Sequence, residues 1–264
     1  MVSPPIFCST RWVAVIDLHC HLLPAVDDGS RSVEQSVAVL QEMARHDVAG
    51  VCLTPHLPVS QLNKGIPAAY DRAFAALTAR APEAPFLTRG LEVMIDGVIS
   101  EEVATRRRGT LGGSRYILVE FPHMVTRAAV QSALSATVAI GLVPLIAHPE
   151  RYSCCDPDTV RGWRALGACT QVDATTLLSS RSRGKRAREL VSHGLIDIMA
   201  ADNHGDGRLI SIAFHILKER GGEFQADLLA RHNPQRILGD QELLPVPPLP
   251  LRASWWDRIR AVFE

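Results

Sequence analysis

The segment Asp17-Leu-His-Cys-His21, followed by Val26-Asp-Asp-Gly29, decides how this chain is interpreted. The apolar run Trp12–Ile16 before it predicts a buried strand, so the two histidines lie where that strand ends. Because residues i and i+2 of a strand point to the same side, both imidazoles can reach one metal ion. A histidine pair alone is weak evidence, so a metal site requires further ligands elsewhere in the chain.

Later apolar runs end in histidine or carboxylate residues. Their endings are His56, Glu92, Glu120, His148, and the pair Asp202 and His204. In a parallel α/β barrel the carboxyl ends of the strands share one face, and that face carries the chemistry. Scattered core histidines or solvated carboxylates are not expected to follow this pattern together. The pattern therefore predicts one metal site at the mouth of a barrel.

Length and composition fit one large α/β domain. The chain has 264 residues, 47% of them hydrophobic, and a formal net charge of zero. Strand-like and helix-like segments alternate without a clear linker, which predicts parallel strands joined by right-handed crossovers. A count of roughly seven strands favours a closed or nearly closed barrel over an open sheet.

Helices are predicted between the apolar runs. Ser32, with Gln35 three residues later, has the capping-box arrangement, and this helix is expected to reach about His46. Further helices are expected at residues 68–80, 128–140, 158–166, 185–193 and 209–220. His46, His193, His215 and His232 lie on these segments or at their ends and are interpreted as structural or exposed.

The two ends of the chain are expected to lie outside the main domain. The predicted organisation is an N-terminal extension at residues 1–15, one catalytic domain at 16–243 and a tail at 244–264. The tail begins with the proline-rich stretch Leu244–Pro250 and ends in an apolar and basic segment that includes Trp255 and Trp256. That segment fits a short amphipathic helix that docks on the barrel, a partner or a membrane surface.

Charge, hydropathy and cysteine usage argue against several classes of protein. The basic runs Arg106–Arg108 and Arg181–Arg188 are short and typical of solvated faces, so nucleic-acid binding is not expected. No apolar run has the length of a membrane span, and the first residues lack the basic start of a signal peptide. The six cysteines show neither framework spacing nor a C-x-x-C pair, which is typical of reduced thiols in the cytoplasm.

The stretch Cys155–Arg161 formally matches the C-x5-R pattern of cysteine-dependent tyrosine phosphatases. A phosphate cradle needs a run of free backbone N–H groups around the anion. Here Asp156 and Asp158 repel the phosphate and Pro157 removes a donor, so the match is interpreted as coincidence. Cys20 points away from its flanking histidines and is expected in the core.

The motifs together resemble the polymerase-and-histidinol-phosphatase (PHP) superfamily, and most closely its bacterial protein-tyrosine phosphatases of capsule and exopolysaccharide synthesis. The matching elements, in the same order, are Asp17–His21, Val26–Gly29, Thr54–His56, Gly90–Glu92, Val119–Phe121, Ala147–Tyr152, Ala201–His204 and Asn233–Pro234. The V-D-D-G and A-H-x-E-R-Y elements separate this group from histidinol phosphatases and polymerase exonuclease domains. The resemblance implies a distorted (β/α)7 TIM-like barrel of the PHP type.

The resemblance also implies three divalent metal ions. One ion is assigned to His19, His21, Glu92 and Asp202, a second to Glu92, Glu120 and His148, and a third to Asp28, His56 and His204. Imidazole and carboxylate ligands without thiolates suit Mn, Fe, Zn, Co or Mg, and manganese is the expected ion. Asp27, beside Asp28, is expected to cap the turn at Gly29.

Arg151 and Arg208 are expected to bind phosphate. Arg151 lies three residues after His148, and Arg208 lies four after His204. A guanidinium pairs bidentately with phosphate oxygens and keeps its charge. The two arginines are therefore the expected catalytic residues beside the metal ligands.

The resemblance predicts a cytoplasmic, metal-dependent phosphomonoesterase that hydrolyses phosphotyrosine in proteins by direct attack of water, without a phosphoenzyme. The expected substrate is a bacterial tyrosine kinase that controls polysaccharide assembly. Two alternatives stay open, a small-molecule phosphatase of the histidinol-phosphatase type and a non-catalytic metal-binding regulator. The complete ligand set argues against the regulator, because such a protein would be free to lose ligands.

Overall fold

A computed structural model describes residues 14–251, and the strands in this part of the chain all pair in parallel. They are β1 (Val15–Cys20), β2 (Val48–Leu53), β3 (His56–Pro58), β4 (Phe86–Arg89), β5 (Glu92–Met94), β6 (Tyr116–Glu120), β7 (Val143–Ala147), β8 (Cys169–Asp173) and β9 (Ile198–Ala200). One sheet has the order β1-β2-β4 and the other the order β3-β5-β6-β7-β8-β9. The prediction of an α/β fold with parallel strands is confirmed.

Two of the predicted strand runs are each divided into two strands. Pro55 separates β2 from β3, since proline has no N–H to donate to a neighbouring strand. Gly90 and Leu91 separate β4 from β5, and Leu91 N donates instead to Gly109 O at 3.0 Å. The pairing therefore forms two sheets and not one continuous closed sheet, and the strands outnumber the seven or so expected.

The last strand and the first are linked at their carboxyl ends. A single parallel bridge joins Cys20 to Asn203. His21 N donates to Asn203 O at 2.7 Å, and Asp202 N donates to His19 O at 3.0 Å. These bonds bring the segment after β9 beside the H-x-H pair of β1.

Helices lie between the strands. They are α1 (Val33–Arg45), α2 (Val59–Leu62), α3 (Ala68–Thr78), α4 (Glu101–Thr105), α5 (Arg127–Ala139), α6 (Pro157–Ala165), α7 (Ala174–Leu178), α8 (Ser182–Ser192), α9 (Ile210–Glu219), α10 (Glu223–Asp227) and α11 (Asn233–Leu238). The longer ones are the helices that the sequence predicts, and the short α2, α4, α7, α10 and α11 are additional. Within residues 14–251, none is long and apolar enough to cross a membrane.

The predicted start of the first helix is confirmed. Ser32 is the N-cap of α1, and its hydroxyl accepts from Gln35 N at 3.2 Å. The Gln35 side chain reaches back to Arg31 N at 2.9 Å, one residue before the N-cap. The return bond of the capping box is therefore displaced by one residue.

The aim of the first ligands depends on an irregularity in β1. Ile16 and Leu18 belong to a buried cluster with residues of β6, β7 and β9, whereas Cys20 belongs to a second, larger cluster. This change of side coincides with a register shift against β2 between Asp17 and Cys20. Irregularities of this kind re-aim side chains next to active sites. Cys20 is fully buried, as predicted.

The proline-rich stretch Leu244–Pro250 packs on the domain. Val246 and Leu249 are buried in the larger cluster, and Leu249 N donates to Val191 O in α8 at 3.3 Å. The described residues do not include 1–13, which contain Cys8, or 252–264. The predicted amphipathic segment at Trp255 and Trp256 therefore lies outside them.

Candidate metal centre

The structure brings the predicted ligands together: they lie at or after the carboxyl ends of β1, β2, β4, β6, β7 and β9, and His56 and Glu92 are also the first residues of β3 and β5. Their ligand atoms form three overlapping groups, each within 4.8 Å: His19, His21, Glu92 and Asp202; His21, Asp28, His56 and His204; and His56, Glu92 and Glu120. His148 lies beside the last group, with Nε2 at 3.0 Å from Glu92 Oε1 and 3.7 Å from Glu120 Oε1. The first of these groups is the ligand set expected for the first ion. The second group contains all three ligands expected for the third ion, Asp28, His56 and His204.

Two buried groups orient the imidazoles of the H-x-H pair. Gln171 Nε2 donates to Val172 O at 3.1 Å, which turns Gln171 Oε1 toward His19 Nδ1 at 2.8 Å. His21 Nδ1 lies 2.8 Å from Asp27 Oδ2. Because both oxygens accept hydrogen bonds, Nδ1 of each ring carries a proton and Nε2 faces the centre.

Carboxylate oxygens meet those Nε2 atoms without forming hydrogen bonds. Glu92 Oε2 lies 3.0 Å from His19 Nε2 and 3.1 Å from His21 Nε2, and Asp202 Oδ1 lies 3.3 Å from both. Both oxygens are buried and lack a hydrogen-bond partner among the described residues. Buried polar atoms are normally satisfied, so oxygens and ring nitrogens aimed at one point fit a bound cation.

The charged groups of the centre shift one another's pKa values. Burial lowers the pKa of His19, but the negative charges of Glu92 and Asp202 outweigh it and raise that pKa to about 9. Burial raises the pKa of Glu92, yet His19 and His148 hold it well below its usual value. Burial and the charge of Glu92 raise the pKa of Glu120 to about 8. Of these two carboxyl groups, Glu92 is therefore ionised and attracts positive charge.

The outer ligands of the centre are more exposed than the inner ones. The side chains of His19, His21, Glu92 and Asp202 are nearly or fully buried. The Asp28 side chain is 69% exposed, and that of His56 is 32% exposed. A substrate can therefore reach the centre from the side of these exposed ligands.

Asp202 joins the imidazoles to the two predicted arginines. Its Oδ2 accepts from Arg151 Nη2, which also donates to Asp173 Oδ2 at 2.6 Å. Arg208 Nη1 lies 3.7 Å from the same Asp202 oxygen, and its Nε donates to Asp206 Oδ2 at 2.9 Å. Both guanidinium groups therefore lie beside the predicted ligands, and both are already paired with carboxylates.

Unusual backbone conformations aim the last ligands. His148 has φ of 33° and Asp202 has φ of 51°, so both lie in the left-handed region directly after β7 and β9. Such residues cost about 1–3 kcal/mol each and occur where surrounding contacts impose them. Asp17 supplies one such contact, because its carboxylate accepts from Ala201 N at 3.2 Å.

The tight turn after β1 explains the glycine of the V-D-D-G element. A Cβ at Gly29 would lie 2.1 Å from His21 O, so only glycine allows this approach. Gly29 N donates to Asp27 Oδ1 at 3.1 Å, which is the turn cap that the sequence predicts. Asp27 also contacts the His21 ring, a role that the sequence does not predict.

Comparison with known proteins agrees with this geometry. Residues 15–239 match the family described as "Capsular polysaccharide synthesis, CpsB/CapC". The chain belongs to this CpsB/CapC family. The predicted resemblance to capsule-type tyrosine phosphatases is therefore confirmed.

Named relatives of this CpsB/CapC protein are tyrosine phosphatases. It is 29% identical over 250 residues to tyrosine-protein phosphatase YwqE of Bacillus subtilis, covering 90% of this chain and 97% of that protein. It is 28% identical over 246 residues to tyrosine-protein phosphatase CpsB of Streptococcus pneumoniae, covering 86% and 99%. These matches span nearly the full length of both relatives.

Solved structures share the fold. A match with TM-score 0.73 and 25% identity covers 90% of this chain and 99% of a chain from the work on YwqE and CpsB, described as "unique metal-dependent tyrosine phosphatases". Dihydropyrimidinase from Brevibacillus agri matches with TM-score 0.55 and 12% identity over 89% of this chain and 73% of its own. The second match indicates the fold alone.

The A-H-x-E-R-Y element of this CpsB/CapC chain also builds the support of the centre. Glu150 is fully buried, and its Oε1 accepts from Asp173 N at 3.0 Å. The Tyr152 hydroxyl donates to Ala147 O at 2.8 Å and accepts from Phe121 N at 3.2 Å. The sequence predicts neither role, nor the contact of Gln171 with His19.

The cysteine pattern does not form a phosphate cradle. Asp156 is the N-cap of α6, Pro157 begins that helix, and Arg161 donates to Asp158 at 2.5 Å on the surface. Burial raises the pKa of Cys155 to about 12, so its thiolate is scarce at neutral pH. The interpretation of Cys155–Arg161 as coincidence therefore agrees with the structure.

Proposed function

We propose that this protein is a metal-dependent protein-tyrosine phosphatase of capsular or exopolysaccharide synthesis. The observation that carries the proposal is the pair of buried, unpartnered oxygens, Glu92 Oε2 and Asp202 Oδ1, facing the Nε2 atoms of His19 and His21. Membership of the CpsB/CapC family and the printed names of its relatives support the reaction and its biological setting.

The centre is proposed to hold three divalent ions, with manganese expected. The ligand sets are His19, His21, Glu92 and Asp202 for one ion, Glu92, Glu120 and His148 for another, and Asp28, His56 and His204 for the third. The unpartnered oxygens support the first set most directly. Divalent ions bound there would polarise the phosphoryl oxygens as Lewis acids and lower the pKa of water.

The two sheets are proposed to form one distorted (β/α)7 barrel. Strands β2 and β3 would together form one interrupted barrel strand, and β4 and β5 would form the next. In agreement with this, β2 pairs with β4 and β3 pairs with β5. The hydrogen bonds between the segment after β9 and β1 support closure on the remaining side. Residues 16–243 are proposed as the catalytic domain, with an extension at 1–15 whose last residue begins β1 and a tail at 244–264 whose first stretch packs on the domain.

Arg151 and Arg208 are proposed to bind the phosphate of the substrate. Both reach the outer oxygen of Asp202, so they lie beside the first ligand set. Arg151 directs Nη2 to Asp173 and Asp202, and the planar guanidinium leaves Nη1 and Nε to face phosphoryl oxygens. Asp173 and Asp202 thereby hold the guanidinium in place. Its interaction with the phosphoryl oxygens becomes stronger as negative charge develops on them in the transition state.

Replacing Arg151 with lysine tests this role. Lysine keeps the charge but loses the planar fork, so kcat/KM for a phosphotyrosyl peptide should fall about tenfold, as for one hydrogen bond to a charged group. Arg161→Lys, at a surface arginine paired with Asp158, is the matched control and should be neutral. Normal turnover by Arg151→Lys would show that the planar guanidinium is not needed. Loss of metal from this variant would show that Arg151 has a structural role.

Replacing Gln171 tests how the first imidazole is oriented. Gln171→Leu removes the acceptor for His19 Nδ1, so metal affinity should fall about ten- to a hundredfold, as for other outer-shell groups. Gln171→Glu keeps an acceptor and should bind metal more tightly than the leucine variant. Competition with a fluorescent chelator measures both affinities. Equal affinity in the leucine variant and wild type would contradict the orienting role.

The protein substrate is proposed to be a tyrosine kinase of bacterial polysaccharide assembly, and the site of action the cytoplasm. Membership of a capsule-synthesis family supports the first statement. The second is supported by the thiols, because the described cysteines Cys20, Cys52, Cys154, Cys155 and Cys169 are all free.

Metal removal is the decisive test of the proposed function. Chelation should abolish turnover of a phosphotyrosyl peptide, and added Mn²⁺ should restore it, because no cysteine in the described chain is set up as a nucleophile. Metal analysis of the purified protein gives the number of ions. Histidinol phosphate is the comparison substrate, and its preference over the peptide would favour a small-molecule phosphatase. Full activity without metal would overturn the mechanism.

A further inference from the structure

The two most exposed large hydrophobic side chains of residues 14–251 lie on the loops that follow two paired strands of the centre. Val98 is 71% exposed and Met124 is 76% exposed. Val98 follows β5 and Met124 follows β6, and these paired strands carry Glu92 and Glu120. Apolar groups exposed near a site are available to contact a bound partner. We call Val98 and Met124 the rim patch.

Met124 is held near the predicted phosphate-binding arginine. The turn Phe121–Val125 carries Met124, and it is fastened to the segment that carries Arg151. The first backbone N–H of the turn donates to the Tyr152 hydroxyl at 3.2 Å, and the carbonyl of its third residue accepts from Ser153 N at 2.9 Å. Met124 is therefore exposed on a turn with a fixed backbone, next to the phosphate-binding side of the centre.

Val98 is also presented by an anchored loop. Asn63 Nδ2 donates to Val98 O at 3.0 Å, and Ser60 N donates to Asp96 Oδ1 at 2.9 Å. Ser60 and Asn63 belong to the segment directly after β3, and β3 begins with the predicted ligand His56. Both members of the rim patch are thus tied by hydrogen bonds to segments that carry site residues.

A small cavity continues the rim patch away from the centre. It measures about 280 Å³ and lies between the loop with Val98 and helix α5, where Ile95, Ile99, Ala129 and Ala133 line it. Its lining is mostly apolar and its size suits one aliphatic side chain. Helix α5 begins directly after the turn with Met124. The cavity is therefore lined by Val98 itself and by the helix that follows the turn with Met124.

We propose that the rim patch and this cavity bind the polypeptide flanking the phosphotyrosine of a protein substrate, with an aliphatic residue in the cavity. The inference rests on the proposed function. A phosphotyrosine whose phosphate lies at the centre extends its own backbone out of the mouth, so neighbouring residues must cross the rim. Continuity with the segment of Arg151 favours a substrate polypeptide over a second copy of this chain as the occupant.

The test compares two substrates on the metal-loaded, full-length enzyme. One is a phosphotyrosyl peptide with leucine on both sides of the phosphotyrosine, and the other is free phosphotyrosine. The measured quantity is kcat/KM for the peptide divided by kcat/KM for free phosphotyrosine. In Val98→Ser and Met124→Ser this ratio should fall about tenfold, as when an apolar contact is removed from a substrate pocket. Phe224→Ser, at an apolar residue of α10 that is 63% exposed, is the matched control and should keep the wild-type ratio.

Other outcomes overturn the inference in distinguishable ways. An unchanged ratio in the double variant Val98→Ser, Met124→Ser shows that flanking residues do not bind there. An unchanged ratio with a changed molar mass in light scattering shows that the patch joins copies of this chain. If wild-type enzyme turns over neither substrate while metal-loaded, the proposed function fails, and the substrate surface fails with it.

Discussion

Replacing Glu92 with glutamine is expected to abolish metal binding and catalysis. Glu92 Oε2 lies within 3.1 Å of ring nitrogens of His19, His21 and His56, and Oε1 lies 3.0 Å from His148 Nε2. The amide removes the negative charge that all four imidazoles share and turns one oxygen into a donor. kcat/KM should fall at least a hundredfold, since outer-shell changes alone cost about 10–100-fold.

Metal analysis and peptide turnover measure this effect together. Glu34→Gln, at an exposed carboxylate paired with Arg80, makes the same chemical change on the surface and should be neutral in both measurements. A Glu92→Gln protein that keeps its metals and most of its activity would show that Glu92 is not an essential ligand of the two proposed sets that share it.

Much of the centre can be predicted because its residues follow strand ends. His56, Glu92 and Glu120 each terminate an apolar run, and parallel strands bring such positions to one face without any knowledge of long-range contacts. The fold class follows from the same alternation of strands and helices. The family resemblance adds the identity of the ligands that share an ion, which the spacing of residues does not contain.

The interruptions of the strands are harder to predict. Pro55 lies inside an apolar run, and only the register of β3 against β5 shows that pairing resumes after it. The irregularity in β1 depends on the partner β2, so sequence alternation alone does not place Leu18 and His19. Both features depend on tertiary contacts, which local sequence patterns do not record.

The groups that orient the ligands are also absent from the sequence prediction. Gln171 is 152 residues from His19, and nothing in its local sequence distinguishes it from a core glutamine of β8. Asp173 is one more carboxylate at a strand end, yet it binds Arg151 and caps α7. Such residues become recognisable when the fold brings them against a ligand that local motifs have already identified.

Replacing Asp202 with asparagine is expected to uncouple the metal ligands from the arginines. Its Oδ1 lies 3.3 Å from His19 Nε2 and His21 Nε2, while Oδ2 accepts from Arg151. Burial raises the pKa of the Asp202 carboxyl, but His19, His21 and Arg151 outweigh it and hold that pKa far below its usual value, so the carboxyl is ionised. Asparagine has the same shape without the charge, so metal affinity and kcat/KM should each fall at least a hundredfold, beyond the roughly 10–100-fold of outer-shell changes.

A second variant separates the two sides of Asp202. Asp173→Asn removes the other carboxylate partner of Arg151, and asparagine can still cap α7. Asp173→Asn should therefore keep its metals while KM or kcat for the phosphotyrosyl peptide worsens, whereas Asp202→Asn should lose metals as well. Metal content by elemental analysis and the two kinetic constants distinguish these cases. If both variants lose metal equally, Arg151 and its carboxylates support the ligand geometry, and the phosphate-binding role of that arginine has to be assigned elsewhere.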